Sequence, residues 1–290
     1  MSKIGIVVLN YNDCQETREF INNIKGYRSL DEIVIVDNNS TDSSYNNLKR
    51  MEKRNITVLK SDENRGYAYG NNIGIKYLSD KVDYIIISNP DIIVEESVIK
   101  KLKKDLDDNE DICMVSPVIN QHGEKLRGWR LPKVIDEIGL NLNYFHRKVE
   151  KKLKYDNKKY NSELTRVDVV SGCFFMIRRE ILNLVGNFDE STFLFYEENI
   201  LATKLKNINK KVFVDNKVEI IHNESVTINK TIASIKKYKV LKDSQKYFVK
   251  YYLHANAFEM FMLRFVYRIS LIIAYIIYFF NKTFKKKKRS

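Results

Sequence analysis

Residues 83–94 read Asp-Tyr-Ile-Ile-Ile-Ser-Asn-Pro-Asp-Ile-Ile-Val. An apolar, β-branched run breaks on Asn89-Pro90-Asp91 and then resumes, and short runs of this kind form buried strands. Pro90 has no N–H to offer a ladder, so the strand ends there. The break leaves the Asp91 carboxylate at the carboxyl end of a central strand, the edge where open α/β sheets bind ligands. A carboxylate held by a stiff turn suits a divalent metal that in turn holds phosphates. The same residue types also make ordinary turns. His222 follows the apolar run 218–221. Beside Asp91 it would complete a nitrogen-and-oxygen donor set suited to Mn²⁺, although a lone His is more often a plain side chain.

Two further groups carry chemistry. Glu197-Glu198 follow the aromatic stretch Phe193-Leu194-Phe195-Tyr196 and open a helix. A carboxylate against apolar walls has its pKa raised towards the working range of a general base. Carboxylates at a helix start also complement the macrodipole. Asp37 ends another apolar run and is followed by Asn38-Asn39-Ser40. Its carboxylate can accept the ring N–H of a uracil or thymine, with the short polar groups around a ribose. The competing reading is a turn with a helix cap. Neither GxGxxG nor GxxxxGK[ST] is present, which argues against a dehydrogenase-type dinucleotide fold and a P-loop. Phosphate charge would instead be met by a metal on Asp91 and by a base such as Arg65 or Arg130.

These residues need elements to position them. Strands are expected at 4–10, 33–36, 56–59 and 84–88, alternating with helices at 16–25, 42–53 (Asp42 as cap) and 68–78. That alternation predicts a parallel, doubly wound sheet. Asn10, Asp37, Asn64 and Asp91 would gather along one edge of it. Beyond it, a helix is expected at 95–108 and a strand at 112–119, then a loop at 128–132. Residues 167–177 read as strand, Gly172-containing break and strand. A short helix at 179–185, strands at 212–214 and 218–221, and helix from about 231 to 280 follow.

The 290 residues suffice for one large domain with an appendage. Apolar content of 44% and charged content of 30% fit a globular protein. Cys14, Cys113 and Cys173 form no CxxC pair, so neither a disulfide framework nor a zinc site is indicated, and a reducing compartment is expected. The first residues run straight into a strand, without a secretory signal. Net charge is +13, and Lys282, Lys285, Lys286, Lys287, Lys288 and Arg289 supply six of these charges. A second basic stretch spans 147–159 and reads as a solvated surface.

The ordered series of motifs resembles the family 2 inverting glycosyltransferases of GT-A fold, closest to the bacterial rhamnosyltransferase-like branch. The segments that carry it are Val7–Asn12, Val36–Asp42, Glu63–Gly74, Ser88–Asp91, Val170–Arg179, Gly186–Glu198 and Ile221–Ser225, spread over residues 4–225. The resemblance implies an α/β fold with a mostly parallel central sheet. It implies a glycosyltransferase domain over 1–230, with a nucleotide-sugar half (1–115) and an acceptor half (116–230). It implies a donor site of Asn10, Asn12, Asp37, Asn39, Asn64, Arg65, Gly66, Asn72, Asn89 and Asp91. Trp129, Arg130 and Gly172 would serve the acceptor or its phosphates. Asp91 and His222 would hold Mg²⁺ or Mn²⁺. The family's Glu-Asp pair falls on Glu197-Glu198, so Glu198 takes the place of the catalytic base, with Glu197 still in play. Asn89 stands where the family often has the first Asp of Asp-x-Asp, which removes one charge from the metal site. The donor would be dTDP-rhamnose or a UDP-hexose, and the acceptor a lipid-linked glycan in cell-surface polysaccharide synthesis.

Residues 231–290 form a helical arm in this reading. The uninterrupted apolar part, 269–280, is too short to span a bilayer, and Arg264 and Arg268 interrupt what precedes it. With the polybasic tail, 261–290 suits a helix lying in an anionic membrane interface on the cytoplasmic face, peripheral or monotopic. A single span, a packing helix and a homodimer stay open. The other functional readings are a catalytically silent nucleotide-sugar-binding or scaffold subunit and a nucleotidyltransferase. The last lacks its Gly-rich phosphate loop. No nucleic-acid module is recognisable, so nucleic acid is not an expected partner.

Overall fold

The computed structural model describes residues 2–223 and 231–287. Glu224 and Ser225 of the last motif, and Lys288 and Arg289 of the basic tail, lie outside the described residues. The four expected runs form strands Ile4–Asn10 (β1), Glu32–Asp37 (β2), Ile56–Lys60 (β3) and Tyr84–Ser88 (β4), all parallel in the order β3-β2-β1-β4. Alternate residues feed opposite faces. Ile4, Ile6, Val8, Ile33 and Ile35 pack with Phe20, Ile21 and Ile24 of helix α1 (Cys14–Ile24) and Leu48 of α2 (Ser44–Lys49). Val7, Val34 and Val36 pack with Ala68 and Ile75 of α3 (Tyr67–Tyr77). Cover on both faces is why these strands read as continuous apolar runs. Asp42 precedes α2 as expected, but its Oδ1 accepts the Ser44 N–H (2.9 Å) and the cap position is Ser43.

After β4 the chain departs from a purely parallel winding. A short strand, Ile92–Ile93 (β5), precedes α4 (Glu96–Asp108) and β6 (Ile112–Gln121). Strand β7 (Glu124–Leu126) then folds back on β6. Helices α5 (Val134–Gly139) and α6 (Asn143–Leu153) follow, then β8 (Leu164–Val167), β9 (Phe174–Arg178), α7 (Arg179–Leu184), α8 (Glu197–Asn207) and β10 (Lys211–His222). The sheet runs β3-β2-β1-β4-β9-β6-β10-β5. Strand β9 enters antiparallel between β4 and β6, and β5 is antiparallel to β10; the other six strands of this path point one way, so the sheet is mostly parallel. The insertion matters because Phe174 pairs with Ser88, which delivers Gly172 and Cys173 to the carboxyl end of β4. The strands expected at 212–214 and 218–221 are one strand, β10, with a register shift between Asp215 and Glu219. Residues 168–173, expected partly as strand, are a connection between β8 and β9.

Two compact units result: residues 1–131 with 155–225, and residues 132–154 with 226–290. The acceptor half read from the sequence, 116–230, therefore gives up 132–154 to the C-terminal helices α9 (Thr231–Tyr251) and α10 (Ala257–Lys287). A buried polar network explains the exchange. The amide of Gln245 donates to Glu137 Oε2 (2.6 Å) and to the Glu137 carbonyl, and Gln245 Oε1 accepts from Asn141 (3.1 Å) and Lys242 (3.2 Å). A satisfied network of this kind ties its members to one arrangement. The long helix expected over 231–280 breaks between Tyr251 and Ala257. Among the described residues no helix is long and apolar enough to cross a membrane.

One contact within the first unit joins distant parts of the chain. At Gly66 (φ +105°) the backbone lies so close to residue 193 that a Cβ would meet the Phe193 carbonyl oxygen at 2.0 Å. The next N–H, of Tyr67, donates to that oxygen (2.9 Å). Both the left-handed φ and the approach require glycine. Gly66→Ala should therefore lower the unfolding free energy by about 2 kcal/mol or more. Gly26→Ala, which has open space and no left-handed φ, should stay within about 0.5 kcal/mol of the parent. Denaturant titration of the two variants measures both, and equal stabilities would remove the Gly66 contact from the account.

Candidate active site

The carboxyl ends of β1 and β2 are pinned together by Asp37, which is fully buried. Its Oδ1 accepts the Ser40 N–H (3.0 Å) and its Oδ2 accepts the Asn10 amide (2.8 Å). Asn10 spends its Oδ1 on Thr17 (2.8 Å). The Asn12 N–H donates to Ser40 Oγ, and Asn12 Oδ1 accepts the Thr41 N–H (2.8 Å). Asn38 donates to Asn64 Oδ1 and to the Gly66 carbonyl, both at 3.1 Å. The structure thus makes Asn10 a buried framework residue rather than an exposed donor contact. Asn72 is another: its amide donates to the Phe188 carbonyl (3.0 Å) and Glu190 (2.8 Å), and its Oδ1 accepts the Phe188 N–H. Each Asp37 oxygen keeps a second lone pair. At the accessible rim stand Asn12, Asn39 (φ 59°), Asn64 and Arg65, whose guanidinium lies 4.8 Å from the Tyr69 ring.

At the end of β4 the Asn89 N–H donates to the Cys173 carbonyl (2.8 Å), and the Asn223 N–H donates to the Asp91 carbonyl (2.9 Å). This second bond and the pairing of His222 with Ile92 bring β10 back over the turn. Asp91 Oδ1 and His222 Nε2 lie 3.2 Å apart. Both atoms are buried, and the two groups form an ion pair when His222 is protonated. Burial disfavours the imidazolium, but Asp91 and the Cys173 thiol beside it outweigh that and push the His222 pKa up to about 10. Two ligand atoms of one octahedral Mg²⁺ at 2.0–2.1 Å are roughly 3 Å apart. The pair fits a divalent ion, with one carboxylate and one imidazole as its protein donors. Asp105, Glu163 and Asp215 also converge, within 4.8 Å of one another. That cluster already holds a cation: Lys101 Nζ lies 2.9 Å from Glu163, 2.7 Å from Asp215 and against Asp105. An ammonium fills the place a metal would need.

The carboxylate pair is set by strained backbone. Phe195 (φ 74°) and Tyr196 (φ 71°) are both left-handed immediately before α8. Non-glycine residues there cost roughly 1 kcal/mol or more each, a cost concentrated at functional sites. Glu197 is buried and Glu198 half-buried. Desolvation, then the charge of Glu198, pushes the Glu197 pKa up to about 8, and burial raises Glu198 as well. Tyr67 connects this pair to the turn: its hydroxyl donates to the Gly172 carbonyl (2.8 Å). Its pKa is raised by burial and then by the charges of Glu197, Cys173 and Glu198. Trp129 braces α8 from the other side, its indole N–H donating to Asn199 Oδ1 (2.9 Å). Trp129 also pairs with Val169 across an isolated bridge.

Of the sequence-based set, Asp91 meets His222, and Trp129 meets Asn199 next to Glu198. Arg130 is exposed and lies 4.4 Å from the Tyr155 ring. Tyr67 and Cys173 were missed as site residues. The signal for Tyr67 was its place directly after Gly66; that for Cys173 was its place after Gly172, at the start of a strand whose partner could not be read locally.

The chain matches glycosyl transferase family 2 over residues 5–186. It is 25% identical over 232 residues to the low-salt glycan biosynthesis hexosyltransferase Agl10 of Haloferax volcanii, covering 78% of this chain and 69% of that protein. It is 24% identical over 223 residues to the dTDP-rhamnosyl transferase RfbF of Shigella flexneri, covering 76% and 69%. Its fold is similar to that of the mannosyltransferase PcManGT of Pyrobaculum calidifontis, solved with GDP-Man and Mn²⁺: TM-score 0.60, 16% identity, 94% of this chain and 73% of that one. With a match that spans more than half of its length, the chain belongs to glycosyl transferase family 2.

Proposed function

We propose that the chain transfers a sugar from dTDP-rhamnose or a UDP-hexose to a hydroxyl of a lipid-linked glycan, inverting the anomeric centre. The observation that carries this reading is the desolvated Glu197-Glu198 pair, whose charges reach Tyr67, itself bonded to Gly172 next to the Cys173 carbonyl that fastens the Asn89 turn. Glu198 takes the proton of the acceptor hydroxyl, whose oxygen attacks the anomeric carbon from the face opposite the diphosphate. The carbon–oxygen bond to the diphosphate breaks, and its electron pair leaves with the nucleoside diphosphate. Asp91 and His222 would hold Mg²⁺ or Mn²⁺, which neutralises charge on that leaving group. Tyr67, Trp129 and the strained 195–196 backbone hold the pair in place. The names of the two relatives, a hexosyltransferase and a dTDP-rhamnosyl transferase, support the donor class.

A membrane interface is the proposed workplace, on the cytoplasmic face. Phe258, Phe261, Phe265, Ile269, Ile272 and Ile276 of α10 are all exposed. Their steps of three and four residues put them on one helical face, with exposed Arg264 and Arg268 along its edge. An apolar stripe rimmed by cations suits an interfacial helix on anionic lipid.

Glu198→Gln should lower the transfer rate about 10²- to 10⁴-fold, with Glu197→Gln less damaging; the reverse ranking would move the base to Glu197. The base acts ionised, and burial holds the pair protonated towards neutral pH. The rate should therefore rise with pH through the neutral range, with an apparent pKa belonging to the pair. A limb complete by pH 5 would contradict that environment. Asp91→Ala and His222→Ala should each abolish the Mn²⁺-dependent thermal stabilisation by UDP or dTDP, and an unchanged shift would remove that residue from the metal site. Phe265→Glu, on the exposed stripe, should reduce co-sedimentation with phosphatidylglycerol vesicles several-fold, and undiminished pelleting would count against an interfacial α10. Absence of turnover with every donor, alongside retained nucleotide binding, would favour a silent binding subunit.

A further inference from the structure

A cation-rich aromatic platform lies beside α8, within the same compact unit, and the proton-transfer chemistry makes no use of it. Tyr155 has the Lys159 ammonium 3.7 Å from its ring centre and the Arg130 guanidinium at 4.4 Å. Tyr160 meets Tyr155 edge-on at 6.5 Å and carries Arg127 at 5.3 Å. Arg166 acts electrostatically on Lys159 together with Arg130. Four cations therefore gather in one area, where Asp168 attracts Lys159 and accepts the Leu131 N–H (3.0 Å) and Glu219 interacts with Arg127.

This arrangement runs against what a purely structural surface needs. Like charges this close repel, and aromatic faces repay only about 0.5–1 kcal/mol per exposed cation. Lys159 registers the strain: burial, with repulsion from Arg130 and Arg166, lowers its pKa despite the attraction of Asp168. Arg127 Nε is buried without a hydrogen-bond partner among the described residues, a state that ordinarily costs stability. Lys159, Arg130 and Arg166 meanwhile have exposed side chains. The platform is also tied to the chemistry. Tyr155 and Tyr160 pack against the core that holds Leu201 and Leu205 of α8. Trp129, whose indole binds Asn199 next to Glu198, sits between Arg127 and Arg130 in the chain.

We infer that Arg127, Arg130, Lys159 and Arg166 form an anion site for a phosphate or diphosphate carried by the acceptor. This rests on the transferase reading and names its acceptor class: a glycan attached to lipid through phosphate. Guanidinium and ammonium groups make charge-assisted hydrogen bonds to phosphate oxygens. The donor's diphosphate would find its own counter-charge in the divalent ion that Asp91, between β4 and β5, and His222 of β10 would hold. An acceptor phosphate held beside α8 would place the sugar hydroxyl against Glu198 by pre-paid positioning.

The probe is inorganic pyrophosphate, titrated into the full chain by calorimetry in EDTA, which closes the metal-dependent route. The parent should bind it. A Lys159→Gln/Arg166→Gln variant should bind at least 10-fold more weakly, and Lys159→Arg, which keeps the charge, should bind like the parent. Saturating UDP should leave the affinity unchanged. Equal binding by parent and double variant, or no binding by the parent, overturns the site. Competition by UDP assigns it to the donor's diphosphate and overturns the acceptor role. Metal-dependent hydrolysis of UDP- and dTDP-sugars by the parent reports separately on the transferase reading, so the two failures are distinguishable.

Discussion

The Phe193 carbonyl is the point on which the active edge depends. It accepts the first N–H of α3 and lies against a glycine that no other residue can replace without a clash. The Asn72 amide adds a second tie to the same loop, at Phe188 and Glu190. Together they lash residues 188–196 to the nucleotide half of the sheet. That attachment stabilises two consecutive left-handed residues and aims Glu197 and Glu198 inward from the start of α8. Free of it, the 195–196 backbone would relax to ordinary φ values and the carboxylates would move outwards towards water.

The two acidic groupings of this molecule differ in what already neutralises them. Asp105, Glu163 and Asp215 look like a metal nest by residue type alone, yet Lys101 neutralises them from within. The three carboxylates hold that lysine protonated well above its ordinary range in spite of its burial. Asp91 and His222 are poorer in charge, and their buried atoms face each other, 3.2 Å apart, with no lysine between them among the described residues. In the proposed metal site, Asn89 in place of a second carboxylate would leave the imidazole a larger share of the donor set. Its backbone N–H serves instead to fasten the turn to Cys173.

Local reading succeeded where burial on both faces imposed one pattern. Strands β1 to β4 are apolar throughout and end on polar or turn residues, so both their existence and the edge they share were legible. Glu198, Asp91 and His222 stood out as candidates because a carboxylate or imidazole at the end of an apolar run can do chemistry as well as cap a helix or turn. Asn10 and Asn72 show the limit of residue type: a buried amide that fastens two loops looks the same in sequence as one that meets a ligand. The antiparallel entry of β9 was illegible, since Phe-Phe-Met-Ile reads the same in either direction. So was the exchange of residues 132–154 to the C-terminal helices, which depends on Glu137 and Asn141 finding Gln245 about a hundred positions later.

By itself, then, the sequence determined the strand–helix alternation, the polar edge and the identity of the groups that can ionise, bind metal or accept a proton. These follow from periodicity and side-chain chemistry, which are local. Only the tertiary structure decided which acids act alone and which are already paired, how far each carboxyl is desolvated, and which cations crowd around Tyr155 and Tyr160. Those outcomes depend on distances between residues far apart in the chain. Electrostatic interactions and desolvation are set by such distances and by the burial they create.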